Sequence, residues 1–227
     1  MFVVGLWAFA RTLLEEEQRD RAKLNIDFAA NKIMTVATNP IPKMTVEEYL
    51  IWEEQQDNRY EYIDGEIIAM TGGSIPHNDL AVNLLIALKD HLKPKSCRVN
   101  ISDVKVQAKA NSRYFYPDVV VSCHPEDQQA KKLIQYPTVI IEVLSPSTGK
   151  YDTTDKLKYY RQIPSLQEYL LIASDKILVE LYQRQPDTEK FWLYSSYGEG
   201  ETFMVPSIEF ECSVDTLYEN VTIEPET

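Results

Sequence analysis

The sequence predicts one α/β (α+β) domain: a mixed central β-sheet flanked by a few helices, with additional β-hairpins. Three observations predict it. The 227 residues, 44% hydrophobic with only seven glycines, suit one such domain and not a disordered or fibrous chain. The middle of the chain carries aliphatic runs, YPDVVVSC (116–123) and VIIEVLSPST (139–148), with the length and β-branching of buried strands. Helical periodicity is confined to a few segments. The clearest is HNDLAVNLLIALKDHLK (77–93), where Leu80, Leu84 and Leu88 recur on one face.

The opening MFVVGLWAFA lacks a basic leader region, and RTLLEEEQRDR follows it where a secretory cleavage site would stand. Residues 1–33 are expected to be a frayed or swapped helix or, in the preferred reading, an N-terminal extension outside the core, with a single domain over residues 34–227. MTVEEYLIWEEQQ (44–56) predicts a short surface helix starting near Thr45. RYEYIDGEIIAMTG (59–72) predicts two short strands around a tight Asp64-Gly65 turn. The 77–93 helix is stopped by Pro94. Strands are expected over 97–108 and 114–122, a polar loop over 124–136, and the most buried strand over 138–145. DTTDKLKYYRQI (152–163) predicts a helix ended by Pro164, and EYLLIAS, ILVELYQRQ and FWLYSS extend the sheet. SIEFECS adds a strand-like pair in the acidic tail.

No apolar run reaches the roughly 18–20 residues that span a bilayer, so no membrane segment is expected. Cys97, Cys123 and Cys212 are odd in number and widely spaced. That pattern predicts free, buried thiols in a reducing cytoplasm and argues against a disulfide framework or a thiolate zinc site. The formal charge is −12, but it is unevenly spread. From Glu199 onward there are eight acids and no Lys or Arg, whereas Lys89 to Arg113 holds seven basic residues against two acids. A polyanionic partner is therefore not excluded by overall charge, since a local basic strip can serve it.

The chemistry rests on carboxylates in apolar surroundings. Asp118 stands before three valines, and Glu142 lies between VII and VL. A buried, unpaired carboxylate protonates or finds a cation. If these neighbouring strands pair, the two acids converge, and paired carboxylates suit Mg²⁺ or Mn²⁺. Hydrolysis of a phosphodiester also benefits from a lysine. Leu144, two residues past Glu142 on the same strand face, does not supply one. Asp152, Lys156 and Tyr160 recur every four residues and share a helix face. That face either presents Lys156 to the carboxylates or holds a plain Asp–Lys pair. Other chemistries lack their residues: TGGS is not a phosphate loop, no HxxxH pair occurs, and LSPST has no nucleophile elbow.

Together, YPDVVV and IIEVLSPST…YDTTDKLKYYRQIPSLQEYLLI resemble the signature of the PD-(D/E)XK nuclease superfamily. More closely, they resemble the Uma-type family of restriction-endonuclease-like proteins, in which the usual lysine is displaced to the next helix. Leu144 fills the standard lysine position here and Lys156 the displaced one. The RYEYIDGEIIAMTGGSIPHNDL stretch resembles the family's opening and carries Glu61 and His77 onto its early acidic and histidine positions. The likeness runs from about Thr45 to Leu217.

The resemblance implies a restriction-endonuclease-like core and a metal-dependent nuclease acting on nucleic acid, with DNA the expected substrate. It implies Mg²⁺, with Mn²⁺ as a substitute, held by Asp118, Glu142, the Val143 backbone carbonyl and Glu61. The same residues Asp118, Glu142 and Glu61, together with Lys156, form the expected catalytic set. Asp64 and Glu66 compete with Glu61 for its place. His77 is expected to cap a helix or to contact an anion, and Tyr160 to touch phosphate or to pack. Lys105, Lys109 and Arg113, in the basic strip, are candidate phosphate contacts. A homodimer would serve cleavage of both strands. The competing expectation is a nuclease-like module without turnover, binding nucleic acid or protein.

Overall fold

Among the described residues the strands form two larger sheets and a separate two-stranded one, and the chain crosses between the larger two at Ser102 and at Pro117. The computed structural model describes residues 42–70, 72–109, 112–145, 149–186 and 188–223. The expected 1–33 extension and the boundary at residue 34 lie outside the described residues; the described residues belong to one compact unit.

Helix α1 (Val46–Glu53) begins where the sequence places it. Thr45 and Glu48 form a reciprocal capping box, which satisfies two otherwise orphaned amides. Strands β1 (Tyr60–Ile63) and β2 (Glu66–Ala69) form the expected hairpin. Its turn residues Asp64 and Gly65 take φ of 49° and 98°, the left-handed conformation that a tight two-residue turn requires. Helix α2 (Ile75–Leu92) starts two residues before the expected 77, because Ser74 caps it and Pro76 sits in its first turn. Leu80, Leu84, Leu88 and Leu92 form its buried stripe.

Each of the two strands expected at 97–108 and 114–122 is in fact a pair. The first divides into β3 (Arg98–Ile101) and β4 (Lys105–Lys109), with Ser102 at φ 39° between them. The second divides into β5 (Arg113–Phe115) and β6 (Val119–Ser122) around Pro117, which has no amide hydrogen to give a ladder. The 124–136 segment is a short helix, α3 (Pro125–Gln128), and a two-residue strand, β7 (Leu133–Ile134), instead of a plain loop. Strand β8 (Val139–Leu144) is buried as expected.

The helix expected over 152–163 starts earlier and is not uniform. α4 (Gly149–Tyr151), a π-helical turn (Asp152–Lys156) and α5 (Leu157–Tyr160) run on as one segment. Strands β9 (Glu168–Ala173), β10 (Val179–Gln185) and β11 (Thr188–Tyr197) follow. The chain closes with β12 (Thr202–Val205), β13 (Phe210–Ser213) and α6 (Val214–Leu217).

The larger sheet has the order β11-β10-β9-β8-β6-β3 and the smaller β2-β1-β5-β4-β7, while β12 and β13 pair separately. Both larger sheets are mixed: β8 runs parallel to β9 and β4 to β7, and their other pairings are antiparallel. Alternation sends Val119, Val121, Val139, Ile141 and Val143 toward the leucine stripe of α2. It sends Val120 and Ile140 toward Phe115, Val106, Tyr160 and Tyr169. Each such side chain contributes about 1.5–3 kcal/mol on burial. Glu142 has the parity of Ile140, so the same alternation delivers it into the second core.

The thiol expectation is corrected for two of the three cysteines. Cys97 and Cys123 form a disulfide, with Cα atoms 4.1 Å apart. The β3–β6 register sets Arg98 opposite Ser122, so the residues just outside that pair face each other although they are 26 apart in sequence. Only Cys212 is free and buried. Among the described residues, no helix is long and apolar enough to cross a membrane.

Candidate active site

Asp118 and Glu142 are brought together by the antiparallel pairing of β6 and β8. Val119 faces Ile141, so the next step outward sets Asp118 beside Glu142. The two interlock through the backbone. The Asp118 amide donates to Glu142 Oε2 at 3.1 Å, and the Val143 amide donates to Asp118 Oδ2 at 2.8 Å. Each acid therefore fixes the other's strand, and neither side chain is free to swing.

Three further elements close on this pair. The π-helical turn brings Lys156, whose Nζ lies 3.2 Å from Glu142 Oε1, 3.1 Å from Glu61 Oε1 and 3.3 Å from Asp152 Oδ1. Both alternatives for the 152–160 face thus hold at once: Asp152 pairs with Lys156, and Lys156 also reaches the strand carboxylates. π-turns recur at functional sites because they re-aim side chains without breaking a helix. The first hairpin brings Glu61, which also accepts the Tyr116 amide at 3.3 Å. Asp64 and Glu66 are elsewhere, paired with Arg113 and Lys43. The start of α2 brings His77, with Nε2 3.2 Å from Asp118 Oδ2. Gly73 makes room for that ring, since a Cβ there would meet His77 Nδ1 at 2.7 Å.

Glu61, Glu142, Asp152 and Lys156 are all buried, so charge balance governs the site. Burial pushes the Glu142 carboxyl up; Lys156 opposes this, and Asp118, Asp152 and Glu61 reinforce it, leaving it at about 8. Glu61 is raised by burial as well, against the pull of Lys156 and the Tyr116 amide. Burial works against the charge on Lys156, yet Glu142, Glu61 and Asp152 hold its ammonium well above the usual range. Burial likewise opposes charge on His77, but the contact with Asp118 wins and raises it. The pocket is short of positive charge even with Lys156 inside it. Hard oxygen donors with excess negative charge are what Mg²⁺ and Mn²⁺ take. Asp118, Glu142, Glu61 and the Val143 carbonyl fit such an ion chemically. Among the described residues, no three His, Cys, Asp or Glu side chains already stand as an ion's ligands; the ammonium lies between Glu61 and Glu142 instead.

The candidate phosphate contacts separate in space. Tyr160 is fully buried, donates its hydroxyl to Glu142 Oε1 at 3.0 Å and packs on Phe115 and Tyr169, so it supports the acid and packs. Lys105 is buried in a pair with Glu53 at 2.9 Å and lies over the Tyr49 ring. Arg113 pairs with Asp64 at 2.7 Å and stacks on Tyr159. Lys109 is exposed. The basic strip is consequently not one surface: Lys89, Lys93, Lys95 and Arg98 line a separate groove of about 360 Å³ along β3, an edge strand.

Beneath Glu61 lies a buried support that is part of none of the sequence motifs. The Tyr116 hydroxyl donates to Glu53 Oε1 at 2.5 Å while its amide holds Glu61. Glu53 therefore anchors both Lys105 and the Tyr116-Pro117-Asp118 turn. A signal was present: Val46, Tyr49 and Glu53 fall at i, i+3 and i+7, the buried stripe of α1.

A mixed sheet carrying a strand-borne carboxylate pair, with a lysine delivered from the next helix, defines a restriction-endonuclease-like domain. Residues 46–216 match the family model Uma2, described as "Putative restriction endonuclease". The chain belongs to that family. It is 40% identical over 179 residues to "Uncharacterized protein slr1290" of Synechocystis sp., covering 79% of this chain and 93% of the relative. A second Synechocystis protein, "Uncharacterized protein sll1609", is 38% identical over 163 residues, covering 71% of this chain and 90% of the relative. The fold is similar to the crystal structure of a "putative nuclease belonging to DUF820" from Anabaena variabilis, at TM-score 0.65 and 20% identity, covering 79% of this chain and 99% of that one.

Proposed function

We propose that the protein is a metal-dependent nuclease hydrolysing phosphodiesters of nucleic acid, with DNA as its substrate. The observation that carries this reading is the Lys156 ammonium within 3.2 Å of Glu142 Oε1, on the strand next to Asp118. Asp118, Glu142 and the Val143 carbonyl would hold Mg²⁺ or Mn²⁺, with Glu61 directly or through water. When bound, such an ion polarises the phosphate and acidifies an attacking water. Lys156, held as an ammonium, stabilises charge developing on phosphate and orients the water. Tyr160 and the Asp118 amide fix the Glu142 carboxylate from two sides. His77 holds Asp118. A two-fold pair of such chains would cut both strands of a duplex.

The second reading is a nuclease-like module without turnover. It is favoured by the internal pairing of Lys105 and Arg113, which leaves a chain of charge −12 with fewer cations for phosphates. A nicking assay with Mg²⁺ and Mn²⁺ on duplex, single-stranded and structured substrates separates the two. Cleavage lost in Glu142→Gln and Lys156→Ala supports the enzyme. Inertness of the clean wild-type protein on every substrate overturns it in favour of the module.

A further inference from the structure

The contact that suits the lysine to catalysis also sets it against the metal. Lys156 Nζ is bonded to Glu61 Oε1 and Glu142 Oε1, two of the oxygens an ion in this pocket would draw on. Its third partner, Asp152, differs in kind. Asp152 is one turn back on the same helical segment as the lysine and not on the strands that carry Glu61 and Glu142, and its backbone is anchored by the Tyr169 hydroxyl, which donates to the Asp152 carbonyl at 3.1 Å.

We propose that Lys156 is an internal cation that exchanges with the divalent ion, and that Asp152 is its docking carboxylate in the loaded state. In the metal-free protein the ammonium offsets the repulsion among Glu61, Glu142 and Asp152 and keeps the pocket assembled. When an ion enters, two like charges compete for Glu61 and Glu142 at a separation where repulsion is strong. The ammonium withdraws onto Asp152, staying within reach of a substrate phosphate. Metal affinity is then reduced by the fraction of molecules in which the lysine has already withdrawn. Asp152 raises that fraction and acts as a positioning residue through Lys156. This inference rests on the metal-site reading above, but it concerns binding and not turnover.

Mn²⁺ binding by calorimetry and by electron paramagnetic resonance tests it in wild type, Lys156→Met, Asp152→Asn and the double variant, each first checked for folding by circular dichroism. Lys156→Met is expected to bind Mn²⁺ about tenfold tighter or more, since the minor state is populated at about 10% or less. Asp152→Asn is expected to bind more weakly, and that loss should vanish in the double variant, as in any pair acting through each other. Mn²⁺ binding unchanged or weakened by Lys156→Met overturns the exchange. A loss from Asp152→Asn that persists without the lysine overturns the docking role. Mn²⁺ bound by none of the four proteins overturns both this inference and the metal site itself. In a Mn²⁺-soaked crystal of wild type, which needs no variant to fold, Lys156 should contact Asp152 and not Glu142; an ammonium still on Glu142 beside a bound ion overturns the exchange.

Discussion

Lys156 Nζ lies 3.2 Å from Glu142 Oε1 across 14 residues of chain, and both groups are buried. That ion pair organises the pocket, and the energetics of the site follow from one ammonium facing several carboxylates.

Removing the ammonium should damage the protein as well as the chemistry. Lys156→Ala leaves Glu61, Glu142 and Asp152 without their shared cation. The expected cost is about 3–5 kcal/mol in the metal-free protein, the range for breaking a buried ion pair on one side. Urea denaturation at pH 8 measures it, and the nicking assay should show about a hundredfold loss or more.

Glu142→Gln should do the opposite to stability. The substitution removes a buried negative charge that burial already disfavours. The variant is expected to be at least as stable as wild type at pH 8 without metal, yet inactive. Such a split between stability and activity is characteristic of strained functional groups. A variant that is both inactive and several kcal/mol less stable would count against the charge imbalance.

The metal-free protein should lose stability as pH rises from about 4.5 to about 8. Folded Glu142 and Glu61 keep their protons over a range in which the unfolded chain has released them, so unfolding releases protons and a rise in pH favours it. His77 acts in the same direction: its folded pKa is raised, so its contribution is present below about 6.5 and lost above. Thermal melts at pH 5.5 and pH 8 should therefore show the higher Tm at pH 5.5, and Mn²⁺ should narrow the gap. A Tm that rises over this window would contradict the assignment.

Lys105 should behave as a structural residue. It is buried against Glu53 and Tyr49, so Lys105→Met is expected to cost about 3 kcal/mol or more. The slope of log affinity for DNA against log salt concentration should not change, because no phosphate contact is removed. Lys109→Ala, at an exposed position, should leave the Tm within about a degree.

The Cys97–Cys123 link joins residues 26 apart in sequence, for which chain entropy gives about 3.5 kcal/mol. Cys97→Ser is expected to lose that stability under non-reducing conditions, and thiol counting on the denatured wild-type protein should find one free cysteine. Three free thiols would remove the link.

Much of this molecule was legible along the chain because the signals were local. Thr45 announced a helix start, Asp64-Gly65 a tight turn, and the apolar VII and VL on either side of Glu142 a carboxylate in a buried strand. The nearness of Asp118 to Glu142 followed once their strands paired, and the resemblance supplied Lys156. What only the tertiary structure decided involves residues whose partners are distant or whose geometry departs from a regular period. Pro117 and Ser102 broke apparently continuous strands and sent the halves to different sheets. The π-turn gave Lys156 three carboxylates at once, where a sequence period offers only Asp152. Lys105 and Arg113 read as phosphate contacts and Glu53 as surface charge until folding paired Lys105 with Glu53 and Arg113 with Asp64, and Cys97 met Cys123 through register. The physical reason is the same in each case: short-range backbone preferences are written residue by residue, whereas a buried charge takes its meaning from whichever opposite charge the packing of remote segments sets beside it.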